Sequence, residues 1–321
     1  MKRTKILVTG ASGLVGSALV TSLAKFSGYD VFAAVRSNGV TFPPNITTRT
    51  VGDLRSGTSY RGALADVDVI VHAAARVHVM SDQESDPLAM FRLVNVAGTV
   101  NLALQAADCG VKRFIFLSSI KVNGESGGST PFTPEDPPAP SDPYGISKFE
   151  AESALLKISE ETGMEVVIIR PPLVYGPGVK ANFLSMMNWL NRGYPLPFGA
   201  IFNQRSFVAI YNLVDLIQVC LEHSNAANEI FLVSDGKDLS TTELLRHLGR
   251  SLGKPARLVP VPVWLMKPVL VLLRKRSLSV RLFDSLQVDI SKTQKLLRWS
   301  PPVDVDKALE LTAEHFLRGN K

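Results

Sequence analysis

The 321-residue sequence has only two cysteines, Cys109 and Cys220, far apart in the chain. They make neither a disulfide framework nor a metal-ligand spacing, which points to a reducing compartment, the cytoplasm, and to no metal site. Internal repeats and low-complexity stretches are missing. With 45 % hydrophobic and 20 % charged residues, wholesale disorder is excluded. Neither sign of charge dominates strongly: 35 Lys and Arg face 29 Asp and Glu, a formal net charge of +6. That excess suits a phosphorylated ligand, nucleic acid or an acidic membrane equally. The basic residues do not form the aromatic-interleaved stripe of a nucleic-acid binder. Long hydrophobic runs are absent as well. The strongest, residues 264–273 (WLMKPVLVLL), is ten residues long and interrupted by Pro268. It is too short to span a bilayer, so no integral membrane segment is expected; it reads as a cap helix buried against the substrate half, with a helix lying on a membrane surface, which Pro268 disfavours, as the alternative. The start, MKRTKILVTGASG, shows no cleavable signal and is expected to belong to the fold.

What is present is a series of short apolar runs, at residues 5–9, 31–35, 67–75, 113–118 and 165–170. Continuous runs of this length suit parallel strands covered on both faces. Helical stretches separate them, notably 88–108 and 144–162. The alternation predicts an α/β fold, a Rossmann-type doubly wound parallel sheet, with a smaller C-terminal substrate-binding cap. The expected division is 1–175 for the dinucleotide-binding domain and 176–321 mainly for substrate, with a diffuse boundary because a last strand and helix can return to the sheet. In the second part, 182–191 and 241–252 read as helices and 229–233 as a strand. Residues 124–143, with six prolines and three glycines in the notation GESGGSTPFTPEDPPAPSDP, read as a long functional loop.

Gly10, Gly13 and Gly16 (GASGLVG) stand between the first strand and the first helix. Gly10 permits the tight turn, Gly13 lets the backbone approach a pyrophosphate, and Gly16 allows close helix–strand packing. The helix N-terminus then offers N–H groups to the phosphates. About twenty residues on, an acidic residue would bind the adenosine ribose of NAD. Arg36 stands there instead, a group able to clamp a 2′-phosphate, so the reading leans toward NADP while leaving NAD open.

Tyr144 and Lys148 (YGISK) are four residues apart, on one helix face. A lysine ammonium, together with a cationic nicotinamide, favours the phenolate and makes tyrosine a usable acid–base group at neutral pH. Ser118 and Ser119 end a strand upstream, where a hydroxyl can reach the same carbonyl.

These elements together resemble the extended short-chain dehydrogenase/reductases, in their nucleotide-sugar branch, the NAD-dependent epimerase/dehydratase family. The resemblance runs in order through GASGLVG, GDL at 52–54, HAAA at 72–75, NVAGT at 95–99, SS at 118–119, YGISK at 144–148 and RPPLVYGPG at 170–178. It implies a cofactor site made by Gly10, Ser12, Gly13, Leu14, Val15 and Gly16, with Arg36, Asp53 and Leu54 at the adenosine end. Ala73, Ala74, Ala75, Asn95, Tyr144, Lys148 and Pro171 complete it. Ser119, Tyr144 and Lys148 align with the catalytic groups. Asn182 and Arg205 align with residues that hold the nucleotide diphosphate, and Ser119 points to the substrate; Lys121, a departure from the family pattern, points near the site, to contact substrate or to sit on its rim. The resemblance also implies a homodimer formed through the helices at 88–108 and 144–162.

Dehydratases of this family carry Thr-Asp-Glu where this chain has Ser119-Ile120-Lys121, so the eliminating carboxyl pair is absent. Two enzymes remain: a UDP-sugar 4-epimerase acting on UDP-glucose or UDP-GlcNAc, and a C4 ketoreductase. The stretch SSIKVNGE is most similar to bacterial surface-polysaccharide (O-antigen, lipopolysaccharide) enzymes. The expectation is therefore an NAD(P)-dependent oxidoreductase that converts UDP-4-keto-6-deoxy-HexNAc to UDP-N-acetylquinovosamine. A non-catalytic NADP-binding sensor is the remaining alternative, disfavoured because Ser119, Tyr144 and Lys148 are all kept.

Overall fold

The computed structural model describes residues 3–37, 39–77, 86–128, 130–272 and 276–319; residue 273, the last of the apolar run, and Arg274 and Lys275 after it lie outside them. The first half runs β1 (Thr4–Thr9), α1 (Leu14–Leu23), β2 (Tyr29–Val35), β3 (Thr47–Thr50), α2 (Arg61–Leu64), β4 (Val69–His72), α3 (Pro87–Phe91), α4 (Thr99–Asp108), β5 (Arg113–Leu117), α5 (Pro143–Thr162) and β6 (Glu165–Arg170). The second half continues with β7 (Leu173–Tyr175), α6 (Ala181–Asn191), β8 (Phe207–Ala209), α7 (Ile210–Glu222) and β9 (Ile230–Leu232). It ends with α8 (Thr241–Ser251), α9 (Val263–Leu272), α10 (Arg276–Phe283), α11 (Ser291–Leu297) and α12 (Val305–Gly319).

Seven parallel strands form one sheet in the order β3-β2-β1-β4-β5-β6-β9. The apolar runs read from the sequence are its inner strands, and their side chains divide by the two-residue period of a strand. Ile6, Val8, Val71, Ile115, Val167 and Ile169 pack with α1 and α7 on one face. Leu7, Ile70, Phe114, Phe116, Val166 and Ile168 pack with α4 and α5 on the other. Both faces are dry, which explains why no polar residue alternates into these strands. The edge strand β3, TTRT, carries no apolar residue to announce it. Its Arg49 lies 3.4 Å over the Phe32 ring and donates to Ala63 O at 2.6 Å.

Two elements of the second half belong to this sheet. Strand β9 extends it beside β6, and α7 packs against α1. The rest forms a smaller layer: β7 and β8 pair in parallel, and α6, α8 and α12 enclose a separate core with Phe183, Met187, Leu245, Leu248, Leu309 and Phe316. Helix α8 opens with a capping box, Ser240 and Glu243 each bonding the other's backbone N–H.

One expectation fails here. Helix α9 is not buried against the substrate half: none of its residues is buried, and Trp264 and Leu272 are 71 % and 84 % exposed. Val263, Met266 and Leu270, on one face, are half-buried, while apolar residues on the rest of the helix, around Pro268, stay exposed.

Candidate active site

Strand β1 ends at Thr9, and Gly10 turns the chain with φ of +66°. A Cβ on Gly10 would stand 2.7 Å from Ala74 N, and one on Gly16 would stand 2.2 Å from Gly10 O. Both positions therefore exclude any side chain. Gly13 caps α1 without a side-chain hydrogen bond, and the first turn of α1 holds no acidic residue. Its N–H groups thus face a cleft of about 470 Å³ lined by Gly10, Ser12, Gly13, Arg36, Asp53, Leu54, Ala73, Ala74 and Ala75. A side-chain-free turn, a bare helix N-terminus and an apolar wall of alanines fit a dinucleotide. Gly16 and Asn95 stand behind this wall. Val51, Tyr60, Met90 and Leu93 also line the cleft and carried no motif by which the sequence could have marked them.

Asn95 is the organiser of this wall. It sits in a π-helical stretch, Arg92–Gly98, inserted between α3 and α4. Such widened turns often re-aim a side chain at a functional site. Its amide accepts from Arg76 N at 2.7 Å and donates to Arg76 O and Ser147 Oγ, both at 3.0 Å. It therefore ties the loop after β4 to the helix that carries Tyr144. His72 is fully buried between Thr9 Oγ1 (2.6 Å) and Thr99 Oγ1 (2.9 Å), stacked on Phe116. Burial pushes it down to about 3, with the nearby Lys148 charge adding to the effect, so it is a neutral strut.

The candidate catalytic end is built on α5. Asp142 caps it, its Oδ1 accepting from Gly145 N at 2.7 Å, and Pro143 occupies the first helical position. Gly145 is required because Lys121 O would lie 2.9 Å from a Cβ there. This close approach sets Tyr144 beside the turn that carries Ser119. The two serines diverge: Ser118 is buried and donates to Glu152, whereas Ser119 is half-buried and accepts from Lys121 N at 3.3 Å. Tyr144 is half-buried with its ring edge-on to Phe91 at 6.0 Å; burial, and then the Asp142 charge, raise its phenol well above the ordinary value. Lys148 is 2 % exposed and donates to Leu117 O at 2.8 Å. Its ammonium is 5.9 Å from the Tyr144 ring centroid. Burial lowers it to about 7, and Glu152 one turn further on opposes that shift.

Behind this face lies a buried network that the sequence did not reveal. Arg170 grips both carboxylate oxygens of Glu152, Nη2 to Oε2 at 2.6 Å, and donates to Asn123 Oδ1 at 3.0 Å. Asn123 in turn donates to Thr133 O at 2.9 Å. The network joins α5, β6 and the turn after β5. Pro171, next to Arg170, supplies its carbonyl to Ile120 N at 3.0 Å.

Lys121, expected to contact substrate or to sit on the rim of the site, is half-buried beside the start of α5. Its ammonium bonds Asp142, the cap of α5, and Glu125 at 2.8 Å. It acts as a brace for the catalytic helix, its charge already matched by two carboxylates. In the substrate half, Asn182 is half-buried in the first turn of α6. Arg205 is half-buried ahead of β8 and donates to Asp284 O at 2.7 Å. Burial lowers its guanidinium, and the like charge of Arg281 on α10 adds to that effect. Arg281, in SVRLF, has no motif signal, yet it places a second cation near Arg205.

A parallel sheet with a glycine turn at its dinucleotide cleft and a Ser–Tyr–Lys set at the strand ends defines a nucleotide-dependent enzyme of the Rossmann class. The chain belongs to the NAD dependent epimerase/dehydratase family, whose profile matches residues 6–234, and the family's cofactor is NAD. It is 51 % identical over 322 residues to UDP-glucose 4-epimerase from Vibrio cholerae, covering 98 % of this chain and 96 % of that one. It is 30 % identical to N-acetyl-α-D-glucosaminyl-diphospho-ditrans,octacis-undecaprenol 4-epimerase from Escherichia coli O157:H7, covering 81 % and 77 %. Among solved structures, UDP-glucose 4-epimerase from Thermotoga maritima with UDP-glucose superposes with a TM-score of 0.79 at 25 % identity, covering 99 % and 100 %. UDP-glucuronic acid 4-epimerase from Bacillus cereus, with UDP-glucuronic acid and NAD, gives 0.80 at 25 %, covering 98 % and 99 %.

These relatives overturn the expectation of a quinovosamine-forming ketoreductase. That expectation rested on the stretch SSIKVNGE, in which no residue has chemistry that separates one hydride transfer from two. The likeness to a 4-epimerase extends over nearly the whole chain.

Proposed function

We propose that this chain is a UDP-sugar 4-epimerase with UDP-glucose and UDP-galactose as its substrate pair. The observation that carries the proposal is the 51 % identity to a UDP-glucose 4-epimerase over 98 % of the chain, with Ser119, Tyr144 and Lys148 all in place. NAD, when bound, supplies the nicotinamide that takes a hydride from sugar C4 and returns it to the opposite face. Tyr144, as phenolate, accepts the proton of the 4-hydroxyl and gives it back after the sugar has turned. Ser119 Oγ donates to the same oxygen and steadies the charge that develops on it. Lys148 supplies the positive charge that brings the Tyr144 phenolate within reach of neutral pH. Arg205 and Arg281, with Asn182, hold the diphosphate, a dianion that cationic donors in a half-buried cleft stabilise well. Arg36 and Asp53, at the far end of the cleft, hold the adenosine ribose.

A second reading is favoured by one observation, the exposed apolar helix α9 in the substrate half: the sugar could be carried on a polyprenyl diphosphate, as in the name of the E. coli relative. The diphosphate grip would be the same. The deciding experiment incubates the purified protein, with no added cofactor, with UDP-glucose, UDP-galactose, UDP-GlcNAc and a polyprenyl-diphosphate-linked GlcNAc, and follows products by proton NMR. UDP-glucose and UDP-galactose are expected to converge on one equilibrium mixture from both sides. No interconversion of any pair would overturn the proposal. Conversion of the lipid-linked sugar alone would replace it with the second reading.

A further inference from the structure

Residues 244–283 contain nine Lys and Arg and no Asp or Glu. Without this segment the formal charge of the chain falls from +6 to −3, so the basic character of the protein is concentrated in one eighth of its length. In the middle of the segment lies α9, Val263–Leu272, whose apolar side chains find no core: Trp264, Leu265, Val269, Val271 and Leu272 are all exposed. A helix that is apolar all round is ordinarily enclosed by protein or lipid, and a patch of this kind on an otherwise polar surface marks an interaction site.

We infer that α9 is a membrane-docking helix that lies in the headgroup region of an anionic bilayer, with the surrounding basic residues on the lipid phosphates. Ten residues of helix are about 15 Å long, half the hydrocarbon thickness, so α9 is too short to cross. Trp264 stands in the first turn, the amphipathic ring suited to the boundary between headgroups and acyl chains. Exposed Arg257 before the helix, in a segment whose sequence holds nine basic residues and no acidic one, supplies charge of the sign that such a surface attracts. A second copy of the chain fits this surface poorly. A two-fold contact would bring nine basic residues against their nine copies, and Asp284 at the edge of the segment is already bonded to Lys267.

Docking here bears on the substrate half. Lys267 Nζ bonds Asp284 Oδ1 at 3.0 Å, and the carbonyl of Asp284 accepts from Arg205 Nη1 at 2.7 Å. The lipid-facing helix and Arg205 therefore share one anchor residue, Asp284. The inference stands on exposure and charge and does not depend on the epimerase reading.

The test is co-sedimentation of the full-length protein with vesicles of phosphatidylcholine alone or with about one-third phosphatidylglycerol, at low and high salt. The protein is expected to pellet with the anionic vesicles at low salt and to be released by salt. A W264E/L272E variant, whose changed residues are exposed, is expected to lose at least about tenfold in vesicle affinity while keeping its activity on soluble UDP-sugar and its melting temperature. Protein that stays in the supernatant with anionic vesicles would overturn the inference, as would a variant that pellets like the wild type. A concentration-dependent dimer that the variant breaks, with vesicles ignored, would assign the helix to a second copy and equally overturn it.

Discussion

Lys148 donates to the carbonyl oxygen of Leu117 at 2.8 Å, so the ammonium proposed to serve Tyr144 is anchored to the end of β5, with no carboxylate bonded to it among the described residues. At 5.9 Å from the Tyr144 ring, a unit charge is worth about 3 kcal/mol at an effective dielectric near 20, or about two pH units on the phenol. Replacing Lys148 by Met is therefore expected to move the acid limb of the kcat profile upward by one to about two pH units. An acid limb that stays in place would show that Lys148 does not set the phenolate.

Tyr144→Phe removes the group proposed to exchange the proton with the 4-hydroxyl. Its kcat is expected to fall by about 10² to 10⁴, the usual worth of a positioned acid–base group, with NAD binding retained. Turnover near the wild-type value would remove Tyr144 from the chemistry.

Glu152 and Arg170 are 2 % exposed and bonded through both carboxylate oxygens. Glu152→Leu leaves a buried guanidinium without its partner and is expected to destabilise the fold by about 3–5 kcal/mol. The double replacement with Arg170→Met is expected to recover most of that loss, because it removes the orphaned charge. Denaturant midpoints of the three proteins check both statements; a double variant as unstable as the single one would contradict them.

His72 is held neutral, at about 3, against 6.5 in an unfolded chain. Its burial therefore costs nothing above pH 6.5 and counts increasingly against the native state as pH falls toward 3. At about 1.4 kcal/mol per pH unit, the loss reaches several kcal/mol. A His72→Asn variant is expected to be less stable at pH 8 but to show a shallower fall in melting temperature from pH 6.5 to pH 4.5. An unchanged slope would refute the assignment.

The parts of the molecule that were legible in the sequence are those where one local rule suffices. Gly10 and Gly16 announce the cleft because backbone approaches of 2.2–2.7 Å forbid any side chain there, and the fully buried strands β4, β5 and β6 announce themselves by having no polar alternation. What escaped depends on partners distant in the chain. Glu152 looks like an ordinary helix-surface acid until Arg170 and Ser118 close on it. Lys121 looks like a free cation near the site until Asp142 and Glu125 take it. Strand β3 holds its edge through Arg49 on Phe32, which no hydrophobic pattern foretells. Helix α9 has the composition of a core element, and composition alone cannot say that the fold leaves it bare. The number of hydride transfers was likewise beyond local rules, since the same serine, tyrosine and lysine serve one transfer or two.

That last question is met directly by an isotope measurement. UDP-[4-²H]glucose is given to the purified protein in ordinary water with no added nicotinamide cofactor, and the UDP-galactose formed is analysed by mass spectrometry and NMR. A 4-epimerase that removes the C4 hydride and returns it within one active site keeps the deuterium at C4 of the galactose product, in full, through repeated turnovers. No UDP-galactose without added reduced cofactor, or a product whose C4 deuterium has been replaced, would contradict the account.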